Sequence, residues 1–162
     1  MAVKEETRHD LDLSLEIGAP PVAVFQAFFQ EGALAAWQGT RRAIAVPRLL
    51  GPWVLDWPAS NERDELLGRH GGVFRATVMH IEPPEQVFLA DAFWLPPDSG
   101  PLGPFAIQLT FTPAPSRADA SSTLLRVTIS GFDDGVRWQR YHAMSTAHWQ
   151  RALRTLKLLL EK

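Results

Sequence analysis

The feature that most constrains this fold is a long amphipathic stretch at the end of the chain, residues 136–162. Successive residues of an α-helix are rotated by about 100°, so positions three, four and seven apart share a face. Within about 60° of Trp149 on such a helix lie Trp138, His142, Ser145, Ala152, Leu153, Leu156 and Leu160. The opposite side carries Arg140, Gln150, Arg151, Arg154 and Lys157. The pattern predicts a helix that begins near Val136 and needs a partner layer for one face.

Two polar residues, His142 and Ser145, interrupt the apolar stripe of this helix. An unpaired buried polar group costs roughly 1–3 kcal/mol, so each needs a partner. One interpretation is a core histidine bonded to a backbone carbonyl and a serine that bonds back along the helix. The other is a cavity wall, because ligand pockets combine an apolar lining with a few placed polar groups.

The partner layer is predicted from a series of strands. Residues 11–17 alternate strictly, with Leu11, Leu13, Leu15 and Ile17 on one face, which is typical of a half-buried strand. Pro20 and Pro21 follow this strand, and proline is favoured at the start of a helix. Short helices are predicted over 22–30 and 31–39. Further strands are predicted over 41–48, 52–58, 73–81, 86–94, 105–112 and 123–132, and a polar connection with a helical turn over 60–72.

Turns and loops join the later strands, which favours antiparallel pairing. A sheet with one apolar face needs a cover, and the C-terminal helix can supply it. We therefore expect an α+β fold in which a curved sheet of about six to seven strands wraps around that helix. Residues 1–162 are predicted to form a single domain, with residues 1–9 flexible.

Composition excludes several classes of protein. The net charge is −2, without the basic surface of a nucleic-acid binder. The chain has no cysteine, so disulfides and thiolate nucleophiles are excluded. No apolar run resembles a signal peptide or a membrane helix, so we expect a cytoplasmic protein without membrane insertion. No phosphate-binding or dinucleotide glycine motif is present, and no cofactor is predicted.

Four stretches, in order along the chain, resemble the START-like or SRPBCC superfamily, and within it the bacterial branch related to activators of the heat-shock protein 90 ATPase. They are residues 17–28 with Ala19-Pro20-Pro21, residues 34–37 with Leu34 and Trp37, residues 78–87 with Pro83-Pro84, and residues 131–161 with Gly131-Phe132 and Trp149. The resemblance implies a helix-grip fold around a hydrophobic cavity. Its members include lipid carriers, polyketide cyclases and co-chaperone domains, so it implies no single function.

The predicted function is binding of a hydrophobic or aromatic small molecule between the sheet and the C-terminal helix. The helix wall would offer Trp138, His142, Ser145 and Trp149, and the sheet wall would offer Asp91. The aromatic candidates from the remaining elements are Trp37, Trp53, Trp57, Phe74, Phe93 and Trp94. No residue is assigned as catalytic.

Two alternatives from other classes stay open. In the first, Asp91 and His142 form a general acid–base pair of a cyclase or hydrolase, provided that Asp91 faces inward; the alternation in 86–94 leaves this facing undecided. In the second, the chain is a co-chaperone-like interaction domain with a chaperone ATPase as partner, and a homodimer is also left open. A metal site at His80, His142 and His148 is not predicted, because the last two are six residues apart and lie on different helix faces.

Overall fold

The computed structural model describes residues 10–115 and 121–162, so the predicted flexibility of 1–9 lies outside the described residues. The helices within these ranges are α1 (Pro21–Ala27), α2 (Glu31–Gln38) and α3 (Val136–Leu160). The strands are β1 (Leu11–Ile17), β2 (Arg42–Ala45), β3 (Pro52–Trp57), β4 (Arg63–Asp64), β5 (Gly68–Arg69), β6 (Gly72–Glu82), β7 (Gln86–Leu95), β8 (Leu102–Pro113) and β9 (Thr123–Ser130).

All strands except β4 and β5 join one antiparallel sheet in the order β1-β9-β8-β7-β6-β3-β2. After β1, the two short helices carry the chain to the far edge of this main sheet, and hairpins bring it back. The last strand, β9, then pairs with β1 along its whole length, from Leu11 opposite Ile129 to Ile17 opposite Thr123.

Helix α3 covers the apolar face of the main sheet. Its buried side chains are Tyr141, Ser145, Trp149, Ala152, Leu153 and Leu156. At its last turns it is tied to β1, because Lys157 donates a hydrogen bond to the carbonyl of Glu16 over 2.9 Å. The predicted α+β helix-grip fold is therefore confirmed: an antiparallel sheet is closed by a long C-terminal helix, with two short helices after the first strand.

The sequence left open which alternate side chains of β7 point towards the core. In the structure this set changes in the middle of the strand. Val87 and Leu89 are buried, and the next buried residue, Ala92, comes three positions later and is followed by Trp94. The change occurs at Asp91, which has a φ of 51° and lies where the pairing with β8 shifts register. One extra residue in a β-bulge reverses the side-chain alternation beyond it, so Asp91 is exposed.

The predicted polar connection 60–72 contains a small hairpin, β4 paired with β5, instead of a helical turn. Its turn is held by the buried carboxylate of Asp64, which accepts the backbone N–H groups of Leu66 and Leu67 over 2.9 and 3.1 Å. Arg140 of α3 donates to the same carboxylate over 2.6 Å. On the other side, Asp98 accepts the backbone N–H of Arg69 over 2.9 Å. The hairpin is therefore anchored both to α3 and to the loop after β7.

Candidate functional site

A pocket of about 310 Å³ lies between the main sheet and the middle of α3, and we call it the α3 pocket. Four parts of the chain border it: the end of α2, strands β3, β6 and β7, the segment 58–71 that carries the β4–β5 hairpin, and α3 from Tyr141 to Arg151. Its lining residues are Gln38, Gly39, Leu55, Trp57, Pro58, Ser60, His70, Gly71, Phe74, Trp94, Tyr141, Met144, Ser145, His148, Trp149 and Arg151.

An aromatic stack forms one wall of the pocket. The ring of Tyr141 lies on the indole of Trp94, with centroids 5.0 Å apart and planes 11° from parallel. The indole is fixed from its other end, because its Nε1 donates to the carbonyl of Gly71 over 2.9 Å. Burial raises the pKa of the Tyr141 phenol far above its usual value, and a hydrogen bond with Ser145 opposes this only in part. The phenol therefore stays protonated and serves as a hydrogen-bonding group within the wall.

A polar pair crosses from α3 to the end of α2. His148 and the side-chain oxygen of Gln38 are 2.7 Å apart. Burial and, to a smaller extent, the nearby charge of Arg151 together lower the pKa of His148 to about 4. The imidazole is therefore neutral at pH 7 and donates its Nε2 proton to Gln38. The ring of Trp57 stands perpendicular to His148 at 5.2 Å, and its Nε1 donates to the Gln38 carbonyl over 3.1 Å.

The polar pair leaves one donor without a partner. Among the described residues, the side-chain nitrogen of Gln38 is buried and makes no hydrogen bond. Gln38 itself is only 3% exposed. A buried unpaired amide is unfavourable by roughly 1–3 kcal/mol, so this end of the pocket has unsatisfied hydrogen-bonding capacity.

The family profile described as "Activator of Hsp90 ATPase homolog 1-like protein" matches residues 18–161. The chain belongs to this AHSA1 family. No curated protein matches it in sequence.

Solved structures of similar fold come from several bacteria. Protein MLL2253 from Mesorhizobium loti is 20% identical, with a TM-score of 0.67 over 93% of this chain and 96% of that chain. Protein CV1439 from Chromobacterium violaceum is 20% identical, with a TM-score of 0.68 over 95% and 98%. An AHSA1-like protein from Aeromonas hydrophila is 18% identical, with a TM-score of 0.63 over 93% and 92%. At these identities the likeness concerns the fold.

Some predicted ligand residues lie in the pocket of this AHSA1-family chain. Trp57 and Phe74 line it from the sheet, and Ser145 and Trp149 line it from α3. Trp94, also an aromatic candidate, forms the stacked wall.

Two predicted tryptophans lie in the core beside the pocket instead of lining it. Trp37 and Trp53 are at most 2% exposed, and their Nε1 atoms donate to the carbonyls of Ala27 and Phe28 over 2.8 and 2.9 Å. The ring of Trp37 lies 6.2 Å from that of Trp149. These indoles are placed to hold the helices and the inner wall in position.

The other predicted residues lie away from the pocket. Trp138 packs edge-on against Phe105 at 5.5 Å, and Phe93 lies on the outer face of β7 below the guanidinium of Arg75. His142 contacts the ring of Phe132 at 4.7 Å, and its Nε2 lies 3.5 Å from the carbonyl of Asp10. Asp91 is exposed at the β7 bulge.

The structure therefore does not place Asp91 and His142 at the α3 pocket, and the inward orientation that the acid–base hypothesis requires is wrong for Asp91. The physical reason is the bulge, which no alternation pattern shows.

Among the described residues, no group of three His, Cys, Asp or Glu side chains has a geometry suited to a metal ion. In the described part of the chain, no helix has the length and apolar character needed to span a membrane.

Sequence reasoning missed Gln38, Tyr141 and His148 as pocket residues. The predicted stripe was centred on Trp149, which faces the core, whereas the pocket borders one flank of α3. Tyr141 lies about 80° and His148 about 100° from Trp149 around the helix, just outside the stripe. Placing the centre at Ser145 would bring Tyr141 within about 40°. Nothing in the sequence of α2 distinguishes Gln38.

Proposed function

We propose that this AHSA1-family protein binds a small hydrophobic or aromatic molecule in the α3 pocket. The observation that carries the proposal is a cavity of about 310 Å³ bordered by Trp57, Phe74, Trp94, Tyr141 and Trp149. Small-molecule sites in proteins typically start at about 300 Å³ and combine aromatic walls with a few polar groups. Here the polar groups are Ser145 and the Gln38–His148 pair.

The pocket walls favour a planar ring over a flexible acyl chain. Rings stack on aromatic faces and gain roughly 0.5–1.5 kcal/mol beyond the burial of their area. Burial itself contributes about 25 cal/mol for each Å² of apolar surface removed from water. The wall is also preformed, because the Trp94 and Trp57 indoles are fixed by hydrogen bonds from their Nε1 atoms.

Isothermal titration calorimetry with a panel of two- and three-ring aromatic compounds tests this proposal. We expect binding to the wild type and its loss in Ser145→Phe, in which a large side chain fills the pocket. The matched control is Ala143→Phe, since Ala143 is exposed on the same helix and does not line the pocket. Thermal melting verifies that both variants fold. If Ser145→Phe does not fold, Phe74→Ala, which enlarges the pocket, replaces it as the test variant. Absence of aromatic binding to the wild type, or equal binding to Ser145→Phe, would contradict the proposal.

A second candidate function is a co-chaperone-like protein interaction, which the description of the family favours. Leu49 and Leu50 are 59% and 64% exposed in the turn before β3, and exposed leucines of this kind suit a protein partner. The test measures the hydrolysis rate of a purified heat-shock ATPase in the presence of each variant. A rate that rises with the wild type and not with Leu50→Asp would support this function. An unchanged ATPase rate would count against it.

A further inference from the structure

The charged and titratable groups around the α3 pocket are biased towards positive charge. Its lining residues include the guanidinium of Arg151, whereas none of them is an aspartate or glutamate. The chain as a whole has a net charge of −2, so this bias is local. A cavity whose lining carries a guanidinium and no carboxylate disfavours a cationic ligand and favours an anionic one.

Arg151 is an exposed residue at the rim of the pocket, and its guanidinium, like that of Arg154, is not paired with a carboxylate among the described residues. Arg63, Arg126 and Arg140 each have a carboxylate oxygen within 2.7 Å. The charge of Arg151 is nonetheless close enough to the pocket wall to disfavour protonation of His148.

The groups around Arg151 define where a ligand would lie. The ring of Trp57 forms the wall on the side of Arg151, because it stands against His148 at 5.2 Å and His148 precedes Arg151 by about one turn of α3. Arg151 itself is exposed and about 160° from the core-facing Trp149 around α3. A ligand that reaches from the wall to the rim would place its ring inside and a polar end at the guanidinium. Arginine binds carboxylates with two parallel hydrogen bonds, which suits a planar acid.

We infer that the ligand of the α3 pocket is an aromatic carboxylate, held by its ring between the aromatic side chains and by its carboxylate at Arg151. This inference rests on the proposed function, because it assigns a chemical class to the same site. Arg151 is thereby a specificity-determining residue that selects the acid over a neutral compound of the same shape.

The test compares two probes of nearly equal shape, 2-naphthoate and 2-naphthamide, by isothermal titration calorimetry at pH 7.5 on the full chain. We expect 2-naphthoate to bind more tightly than 2-naphthamide, and more weakly as salt is added. In Arg151→Gln the preference should fall by roughly two- to fivefold, the range of an exposed ion pair. The matched control is Arg154→Gln, because Arg154 is exposed on the same helix and does not line the pocket.

The outcomes separate this inference from the proposed function. If both probes bind the wild type equally, or if Arg154→Gln lowers the preference as much as Arg151→Gln, the carboxylate inference is overturned and aromatic binding stands. If neither probe binds, and the wider aromatic panel also fails, the proposed function is overturned and the inference with it. Retention of the full preference in Arg151→Gln would likewise overturn the role of Arg151.

Discussion

Removing the carboxylate of Asp64 should release the β4–β5 hairpin from α3. In Asp64→Ala the buried backbone N–H of Leu67 loses its acceptor, which costs about 1–3 kcal/mol. The pair with Arg140 contributes at most about 1 kcal/mol, because the guanidinium side of this pair is largely exposed. The total of about 1–4 kcal/mol corresponds to a roughly 5- to 1,000-fold increase in opening of the hairpin.

Hydrogen exchange measures this opening at amides that do not touch Asp64. The Ser60 N–H is bonded to the carbonyl of His70 over 2.9 Å, and the His70 N–H to that of Glu62 over 3.2 Å. Both should exchange faster in Asp64→Ala by the factor given above. In Asp64→Asn, which keeps an oxygen acceptor, the increase should be clearly smaller than in Asp64→Ala. Unchanged exchange of Ser60 and His70 in Asp64→Ala would refute the anchoring role of Asp64.

The pH dependence of the same variants gives an independent check. The hydrogen bond from Arg140, followed by that from the Leu66 backbone, lowers the pKa of Asp64 below its ordinary value of 3.8. A carboxyl group whose pKa is lower in the folded state stabilises it above the unfolded pKa, and this contribution is lost as the pH falls through the folded pKa. The difference between wild type and Asp64→Ala should therefore be full at pH 7 and should shrink below pH 3.8.

Two further predictions concern single residues. His148 has a pKa of about 4 in the folded protein, compared with an ordinary value of 6.5. As the pH falls, the unfolded chain therefore binds this proton before the folded chain does. Up to about 3 kcal/mol of stability is lost as the pH falls from 6.5 towards 4. Urea unfolding at pH 7.5 and 5 should show this loss in the wild type and a smaller one in His148→Phe, and an equal loss in both would contradict the neutral buried imidazole. At the bulge, Asp91→Val should lower the free energy of unfolding by about 1–2 kcal/mol because a branched residue resists a φ of 51°, whereas Asp91→Gly should not. Calorimetry should find aromatic binding unchanged in both variants, and a loss of binding in Asp91→Gly would show that this side chain reaches the pocket after all.

The fold could be predicted because its signals are periodic. The alternation in 11–17 and the stripe around Trp149 fix which faces are buried, and the structure confirms both β1 and α3. The hairpin in 60–72 could not be predicted in this way. It depends on Asp64, a single polar side chain whose partner Arg140 lies 76 residues further along the chain.

The candidate site could be predicted only in part, for a similar reason. Trp57, Phe74 and Trp149 are large aromatic residues on predicted elements, and they line the pocket. The orientation of Asp91 depends on a backbone bulge that leaves no trace in the alternation of 86–94. Gln38 becomes a pocket residue only because α2 packs beside α3, and such tertiary contacts are not encoded in local periodicity.

The pairing of β1 with β9 has a consequence for how the chain is made. During synthesis β1 emerges with its apolar residues and its backbone edge unpaired, and its only neighbour in the main sheet of the described chain is β9, the last strand to be made. Contacts between such distant segments form slowly. The nascent protein must therefore leave the edge of β1 unpaired until β9 has been synthesised.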